Sequence, residues 1–176
     1  MCKPLTPKFL TSEIAAHVAT QVLTTTLLDG GSISKLVKRK EGHLVILVPS
    51  MEDVREADYP NWPNYSISPY ILHEQSVGEK EGWERPFDKI ARSKALQLWQ
   101  GRNDDGQTDS NAHLLFPNDT PYWGGVQRHG LVVAFSGVQP WFDQMISGIT
   151  ADMLKAIGRD MLETSDDTAT GRTFLS

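Results

Sequence analysis

Two short apolar runs, Leu44–Val48 and Leu131–Phe135, restrict the possible folds of this chain more than any other feature of its sequence. Both runs are rich in leucine and β-branched residues, which is typical of buried strands. Both are far shorter than the roughly 18 apolar residues that a membrane helix requires. The whole chain has 176 residues, which suits one domain. The runs therefore predict a few buried strands in a single domain, with no membrane span.

Three amphipathic helices are predicted around these strands. The first covers residues 12–28, with Thr11 or Ser12 as its N-cap; the second covers 86–101, and the third begins near Pro140. Each helix has one apolar stripe to bury, and the strands are predicted to form hairpins rather than to alternate with the helices. This pattern favours an α+β fold in which an antiparallel sheet is flanked by helices.

The predicted sheet is built from two hairpins. One pairs Ile33–Lys38 with His43–Val48, and the other turns at Arg128-His129-Gly130. A tight turn between strands usually needs a residue with positive φ, which Gly130 can supply. Gly137 lies where the last strand must lead into the Pro140 helix, and we expect that a side chain there would crowd the start of the helix.

Two further segments are predicted to lie outside this framework. Residues 51–85 are rich in Pro, Trp and Tyr and keep no period of 2 or 3.6, so we expect a long surface excursion with one short helix near residues 71–74. Residues 164–176 are small and polar, and we expect a flexible tail. The predicted domain therefore covers residues 1–163, with the excursion inside it and the tail after it.

Charge and cysteine content limit the partners and the compartment. The net charge is -5 with no basic cluster, which argues against binding to nucleic acid. Cys2 is the single cysteine, so no disulfide can form within the chain. The first ten residues lack the apolar run of a secretory signal. We therefore expect a cytoplasmic protein.

Short catalytic and metal-binding motifs are not found in the sequence. The segment Asn103-Asp104-Asp105-Gly106 lacks the first and last carboxylates of a calcium loop, since Gly101 and Ala112 stand at those positions. The histidines show no i, i+4 pair and no CxxC companion, so no structural metal site is predicted. The five histidines are His17, His43, His73, His113 and His129.

A longer pattern of residues resembles a known family. The glycine pair Gly124-Gly125 leads into the strand block Gly130–Val138, an earlier helix carries Lys94-Ala95, and Asp143 follows early in the last helix. Over roughly residues 10–157, this order resembles the GlcG/HbpS-like family of haem-degrading and glycolate-utilisation accessory proteins. The same family supplies the C-terminal domain of some cobalamin adenosyltransferases. Arg39 stands where its members usually carry an aspartate.

The resemblance implies a profilin-like antiparallel sheet flanked by helices, assembled as a homo-oligomer. It also implies a binding site for haem or another tetrapyrrole-like small molecule, with haem degradation as a further expectation. Neutral imidazole is a good ligand for iron, which makes the histidines near the turns and on the first helix candidates. The candidate ligand-binding residues are His43, His129, His17, Gly124, Gly125, Gly137, Asp143 and Lys94.

Two other functions stay open at this stage. The chain could be a non-catalytic homo-oligomer that serves as an interaction or assembly partner, because aromatic residues such as those of segment 51–85 are enriched in interfaces. It could instead be a small-molecule enzyme that uses Asp143 or Lys94. Lys94 falls near the edge of the apolar stripe of its helix, where a lysine usually buries its stem and keeps its amine in water.

Overall fold

The computed structural model describes residues 5–51, 67–103, 111–173 and 175, and it confirms the predicted α+β class. One antiparallel sheet has the strand order β2-β1-β4-β3. Its strands are β1 (Gly42–Met51), β2 (Ile67–Val77), β3 (Gly125–Arg128) and β4 (Leu131–Ser136). The helices are α1 (Ser12–Leu23), α2 (Phe87–Trp99), α3 (Pro140–Glu163) and the short α4 (Asp166–Ala169).

The larger apolar core lies between one face of the sheet and helices α1 and α3. Alternate residues of β1 and β4 point to this face, because successive side chains of a strand lie on opposite sides. Thr11 caps α1 by accepting a hydrogen bond from the backbone N–H of Ile14 over 3.3 Å, and a π-helical turn at Thr24–Leu28 follows the helix. The best-buried members of this core include Val18, Leu23, Leu44, Ile46, Val133, Phe135, Ile146 and Leu154.

Among the described helices, α2 covers the opposite face of the sheet, which has a smaller apolar cluster. Gly125 of β3 lies so close to α2 that a Cβ there would be 2.5 Å from Leu98 Cδ1, so a glycine is needed for the packing. The cluster consists of Val45, Leu47, Ala91, Ala95, Leu98, Val132 and Ala134. This face also holds the charged groups described below.

The predicted first hairpin is wrong. Residues 33–36 form turns and residues 37–38 belong to no strand. β1 pairs along its length with β2, which occupies part of the predicted excursion and includes residues 71–74, predicted as helix. The pattern hid this strand because β2 is an edge strand whose one well-buried side chain is Leu72. Pro69 fits such an edge, where a missing N–H is tolerated. Residues 52–66, the first part of the excursion, lie outside the described residues.

The second hairpin and the last helix agree with their predictions. β3 and β4 are joined by a two-residue turn in which His129 has φ 51° and Gly130 has φ 87°. Two consecutive positive φ angles are what a type I′ turn between twisted strands requires. The positive φ predicted for Gly130 is therefore confirmed, and His129 shares it. Helix α3 begins at Pro140, as predicted.

The predicted tail begins with a short helix. Ser165 caps α4, and the buried Asp167 is paired with Lys8 and with Arg172, whose Nη1 lies 3.3 Å away. The flexibility of the tail stays a prediction. Among the described helices, none combines the length and the apolar character needed to cross a membrane.

Candidate functional site

A pocket of about 160 Å³ opens where the end of β4 meets the first turns of α2 and α3. Part of its wall is apolar, and charged groups stand among the apolar ones. The apolar lining consists of Phe87, Ile90, Val138 and Pro140. The other lining residues are Arg39, Arg85, Lys94, Tyr122, Ser136, Gly137 and Asp143.

Lys94 and Asp143 form a buried ion pair in the wall of this pocket, with side chains only 1% and 4% exposed. Lys94 Nζ donates to Asp143 Oδ2 over 2.8 Å and to the carbonyl oxygen of Phe135 over 3.0 Å. The Asp143 carboxylate also accepts the backbone N–H groups of Gly137 and Val138, the latter over 3.1 Å. Each buried charge therefore has an opposite charge and further polar contacts, which burial of an ion pair requires.

Beside this ion pair, side chains rather than a neighbouring strand form hydrogen bonds with the backbone of β4. Strand β3 begins at Gly125, opposite Ala134. At the next residue of β4, Phe135, the backbone N–H donates to Ser147 Oγ over 3.0 Å and the carbonyl accepts from Lys94 Nζ. Helices on opposite faces of the sheet thus satisfy the backbone groups that a longer β3 would satisfy. The short β3 allows Lys94 of α2 to reach Asp143 of α3.

Two glycines permit the close approach that holds Asp143 in place. Gly124 has φ 112°, and a Cβ there would lie 2.7 Å from both Asp143 Cβ and the carbonyl oxygen of Pro140. A Cβ at Gly137 would lie 2.5 Å from Gly42 Cα and closer still to the carbonyl oxygen of Glu41. A side chain at either position would separate the backbones that position the carboxylate.

Burial moves the pKa values of the two charged groups towards each other. Desolvation raises the pKa of Asp143 to about 6, although Lys94 and the backbone N–H groups act in the opposite direction. Desolvation also lowers the pKa of Lys94, against the attraction of Asp143. Transfer of a proton from the ammonium to the carboxylate therefore costs less free energy than in water. Perturbed pKa values of this kind occur both at functional sites and in structural ion pairs.

Two arginines add positive charge to the pocket. Arg39 is half-buried and pairs with Glu84, and Arg85 is exposed with its guanidinium carbon 5.2 Å from the centroid of the Tyr122 ring. With Lys94, the lining carries three positive groups, of which Lys94 is paired with Asp143 and Arg39 with Glu84 outside the lining. Planar guanidinium groups match the geometry of carboxylates and phosphates, so the pocket is suited to a small anion.

His43 belongs to a separate polar cluster beneath α2. Its Nδ1 lies 2.9 Å from Ser76 Oγ, and its Nε2 lies 3.4 Å from Glu74 Oε2. Arg92 holds the same carboxylate through two hydrogen bonds of 2.9 and 2.7 Å. Desolvation lowers the pKa of His43, so its imidazole is neutral at pH 7. Ser76 and Glu74 thus provide partners within the chain for both ring nitrogens.

The structure brings together some of the predicted site residues. Lys94, Gly137 and Asp143 line one pocket, and Gly124 packs behind Asp143. Gly125 faces α2 from within β3. The expectation that the amine of Lys94 reaches water is wrong, because its side chain is fully buried by the ion pair and by the contact with β4.

The three histidines predicted as haem ligands do not converge. His43 pairs with Ser136 at the end of β4, whereas His129 lies in the turn before its start and His17 is exposed on α1. The described residues contain no group of three or more His, Cys, Asp or Glu side chains that could hold a metal ion. The pocket is also smaller than the 300–1,000 Å³ that encloses a drug-sized ligand, and its lining among the described residues contains no histidine.

Arg39, Arg85 and Tyr122 were missed as site residues. They come from three loops, which precede β1, α2 and β3 respectively. Loop residues have no hydrophobic period, so nothing in the sequence pattern indicates that the three side chains meet. The one related signal in the sequence is the predicted helix start at Pro86, which places Arg85 immediately before α2.

Comparisons with known proteins do not indicate a function for this chain, so a function must be argued from the geometry of the pocket. No family model, curated protein or solved structure matches this chain. The resemblance to the haem-degrading and glycolate-utilisation family, and the profilin-like detail that it implies, therefore stay predictions.

Proposed function

We propose that this protein binds a small carboxylic acid in the pocket beside Lys94 and Asp143. The observation that carries the proposal is the lining itself, in which three cationic groups and one carboxylate stand against an apolar wall. A cleft lined mainly by one sign of charge concentrates ligands of the opposite sign. Arg39 and Arg85 lie on loops at the pocket, where each can offer a planar pair of N–H donors to a carboxylate.

The volume of the pocket limits the size of the ligand. An apolar cavity of about 150 Å³ can bind a benzene molecule, which has six non-hydrogen atoms. The pocket of about 160 Å³ therefore suits an acid with a chain of three or four carbons. Its carboxylate would face the arginines, and its carbon chain would pack on Phe87, Ile90 and Val138.

The proposal is tested by calorimetric titration of the protein with lactate, a three-carbon hydroxy acid. A hydrogen bond to a charged group contributes about 1.5–3 kcal/mol, so Arg85→Gln should weaken binding by about tenfold or more. Arg159→Gln is the matched control, because it removes the same charge from an exposed site in the C-terminal part of α3. We expect the control to bind lactate as the unmodified protein does. Equal affinity in all three proteins would contradict the proposal.

Haem binding, which the family resemblance implies, is tested in parallel by titration with hemin and measurement of the Soret absorbance. Tight hemin binding without lactate binding would favour the haem-binding hypothesis. Loss of that signal in His43→Ala or His129→Ala would identify the ligand.

A second candidate function is assembly with further copies of the chain. It is favoured by two large exposed side chains, Trp141 at 57% and Leu36 at 59%, which flank the contact between Gln139 and the segment before β1. Light scattering tests it directly. A mass near 19.6 kDa at micromolar concentration would contradict homo-oligomerisation.

A further inference from the structure

The amine of Lys94 is positioned for more than a structural ion pair. An ammonium has three N–H donors. Lys94 Nζ uses two of them, on Asp143 Oδ2 and on the carbonyl oxygen of Phe135, and no third partner occurs among the described residues. Lys94 also lines the pocket, but its side chain is only 1% exposed, so a ligand in the pocket would have to displace the covering side chains to reach the amine.

An amine reacts as a nucleophile only after it loses a proton, and Asp143 is placed to accept that proton. The two groups lie 2.8 Å apart, so the transfer needs no bridging water. Desolvation disfavours both charged forms, as the raised pKa of Asp143 and the lowered pKa of Lys94 indicate. A desolvated lysine in an apolar pocket is the usual setting for Schiff-base chemistry with carbonyl compounds.

We propose that Lys94 forms a protonated imine with a 2-oxo acid of three or four carbons. The proposal rests on the proposed function, because Arg39 and Arg85 would hold the carboxylate of the acid. That placement leaves the adjacent carbonyl carbon to face the amine. An acid without a carbonyl group would bind in the same pocket without reacting.

The reaction balances with the groups that the pocket holds. A proton first passes from the Lys94 ammonium to the Asp143 carboxylate. The nitrogen lone pair then forms the C–N bond, the carbonyl π electrons move to oxygen, and a proton moves from nitrogen to that oxygen. Protonated Asp143 next gives its proton to the new hydroxyl group, the C–O bond breaks, and water leaves as the C=N bond forms. The nitrogen then carries a positive charge.

Conservation of charge in the buried pair supports this product over others. The protonated imine has one positive charge at the Lys94 nitrogen, and Asp143 has regained its negative charge. The pair of opposite charges is therefore restored at the end of the reaction. Acylation of the amine would instead give a neutral amide and leave the carboxylate buried without its cation, which is strongly unfavourable. The site therefore favours ketones over acyl donors.

The test is trapping of the imine in the full chain with pyruvate and sodium borohydride. Borohydride delivers a hydride to the imine carbon and converts the adduct to a stable secondary amine, which peptide mapping by mass spectrometry locates. We expect the adduct at Lys94 and not at Lys89, an exposed lysine of the same helix. Lys89→Met should trap as the unmodified protein does. Lys94→Arg keeps the charge but should lose the adduct, because a guanidinium does not form an imine.

Lactate separates failure of this inference from failure of the proposed function. If lactate and pyruvate compete for the pocket and no adduct forms at Lys94, imine formation is wrong and acid binding stands. Adducts spread evenly over exposed lysines also overturn the imine. If neither acid binds, both proposals fail together. Mapping of the unmodified protein decides the matter even if Lys94→Arg does not fold.

Discussion

The two faces of the sheet are built from the same strands and bury different kinds of side chain. The face towards α1 and α3 buries mainly hydrocarbon, with Leu44, Ile46 and Phe135 fully enclosed, and buried polar groups of α3 such as Ser147 and Thr150 are neutral hydroxyls. The face towards α2 buries polar and charged groups as well, among them Lys94 and Gln97. Each of these is held by specific partners; Gln97, for example, donates to the carbonyl oxygen of Thr120 over 3.0 Å. The difference indicates where the chain tolerates change and where it does not.

Hydrocarbon and charge impose different demands on the fold. Burial of apolar surface contributes roughly 25 cal/mol per Å² without regard to direction, so the α1 and α3 face can accept many packings. A buried charge is stable only if its partner stands at hydrogen-bond distance, and removal of one partner costs several kcal/mol. The α2 face therefore needs a defined geometry around Lys94, which is also what a binding site needs.

The largest effect is expected at Gly137, which follows β4. Its backbone N–H donates to the carboxylate of Asp143, the partner of Lys94. Gly137→Ala should lower the free energy of unfolding by about 4 kcal/mol, because the added Cβ meets the backbone of Glu41 and Gly42 rather than a movable side chain. Gly148→Ala is the matched control within α3, where the nearest atom to a Cβ is 3.9 Å away. It should raise stability by up to about 1 kcal/mol, since alanine favours a helix over glycine.

Urea denaturation measures both variants. Opposite signs for the two glycines are the expected result. An equal change in both would show that the β4–α3 junction is not the close contact described above.

The next effect compares the two faces directly. Lys94→Met on the α2 side and Leu154→Ala in the α1 and α3 core should each cost about 3 kcal/mol, but for different reasons. The first leaves the Asp143 carboxylate buried without its cation, and the second leaves a cavity. Adding Asp143→Leu to Lys94→Met should restore most of the loss, because no uncompensated charge remains.

The same substitution, Asp143→Leu, should not restore Leu154→Ala. Chemical denaturation of the two double variants tests this difference. If the Lys94 and Asp143 double variant is less stable than Lys94→Met alone, the two side chains do not act as a compensated pair.

The smallest effect is the pH dependence of stability on the α2 face. The pKa of Asp143 is about 6 in the folded protein and 3.8 when solvated, so between these values the folded state binds more protons than the unfolded state. Its contribution to stability therefore rises as the pH falls from about 6 to 4, by up to about 3 kcal/mol. Other carboxyl groups, such as Glu74 with its lowered pKa, change in the opposite direction.

The comparison with Asp143→Asn isolates this contribution, because the other carboxyl groups are common to both proteins. Between pH 4 and 7, the unfolding free energy of the unmodified protein relative to that of Asp143→Asn should increase as the pH falls. Leu154→Ala, on the other face, should show a loss that is the same at every pH. A pH-independent difference for Asp143→Asn would contradict the buried, raised-pKa carboxyl group.

The sequence predicted the elements whose signals are local. Thr11 marks the start of α1, Pro140 marks the start of α3, and His129-Gly130 marks the turn between β3 and β4. Strand β2 was missed because an edge strand with one well-buried side chain has little period to detect. The site was predicted in part, since Lys94 and Asp143 were named from the resemblance and not as partners of each other.

Caps, helix starts and positive φ angles act within a few residues, which is why the sequence by itself determined where the helices and the β3–β4 turn lie. The burial of Lys94 was decided only by the tertiary structure. Its partner Asp143 is 49 positions away, and the contact exists because β3 is too short to cover Phe135. Arg39 and Arg85 likewise meet at one pocket through the packing of separate loops. The free energy of such contacts depends on distances between remote segments, and a pattern of neighbouring residues contains no information about those distances.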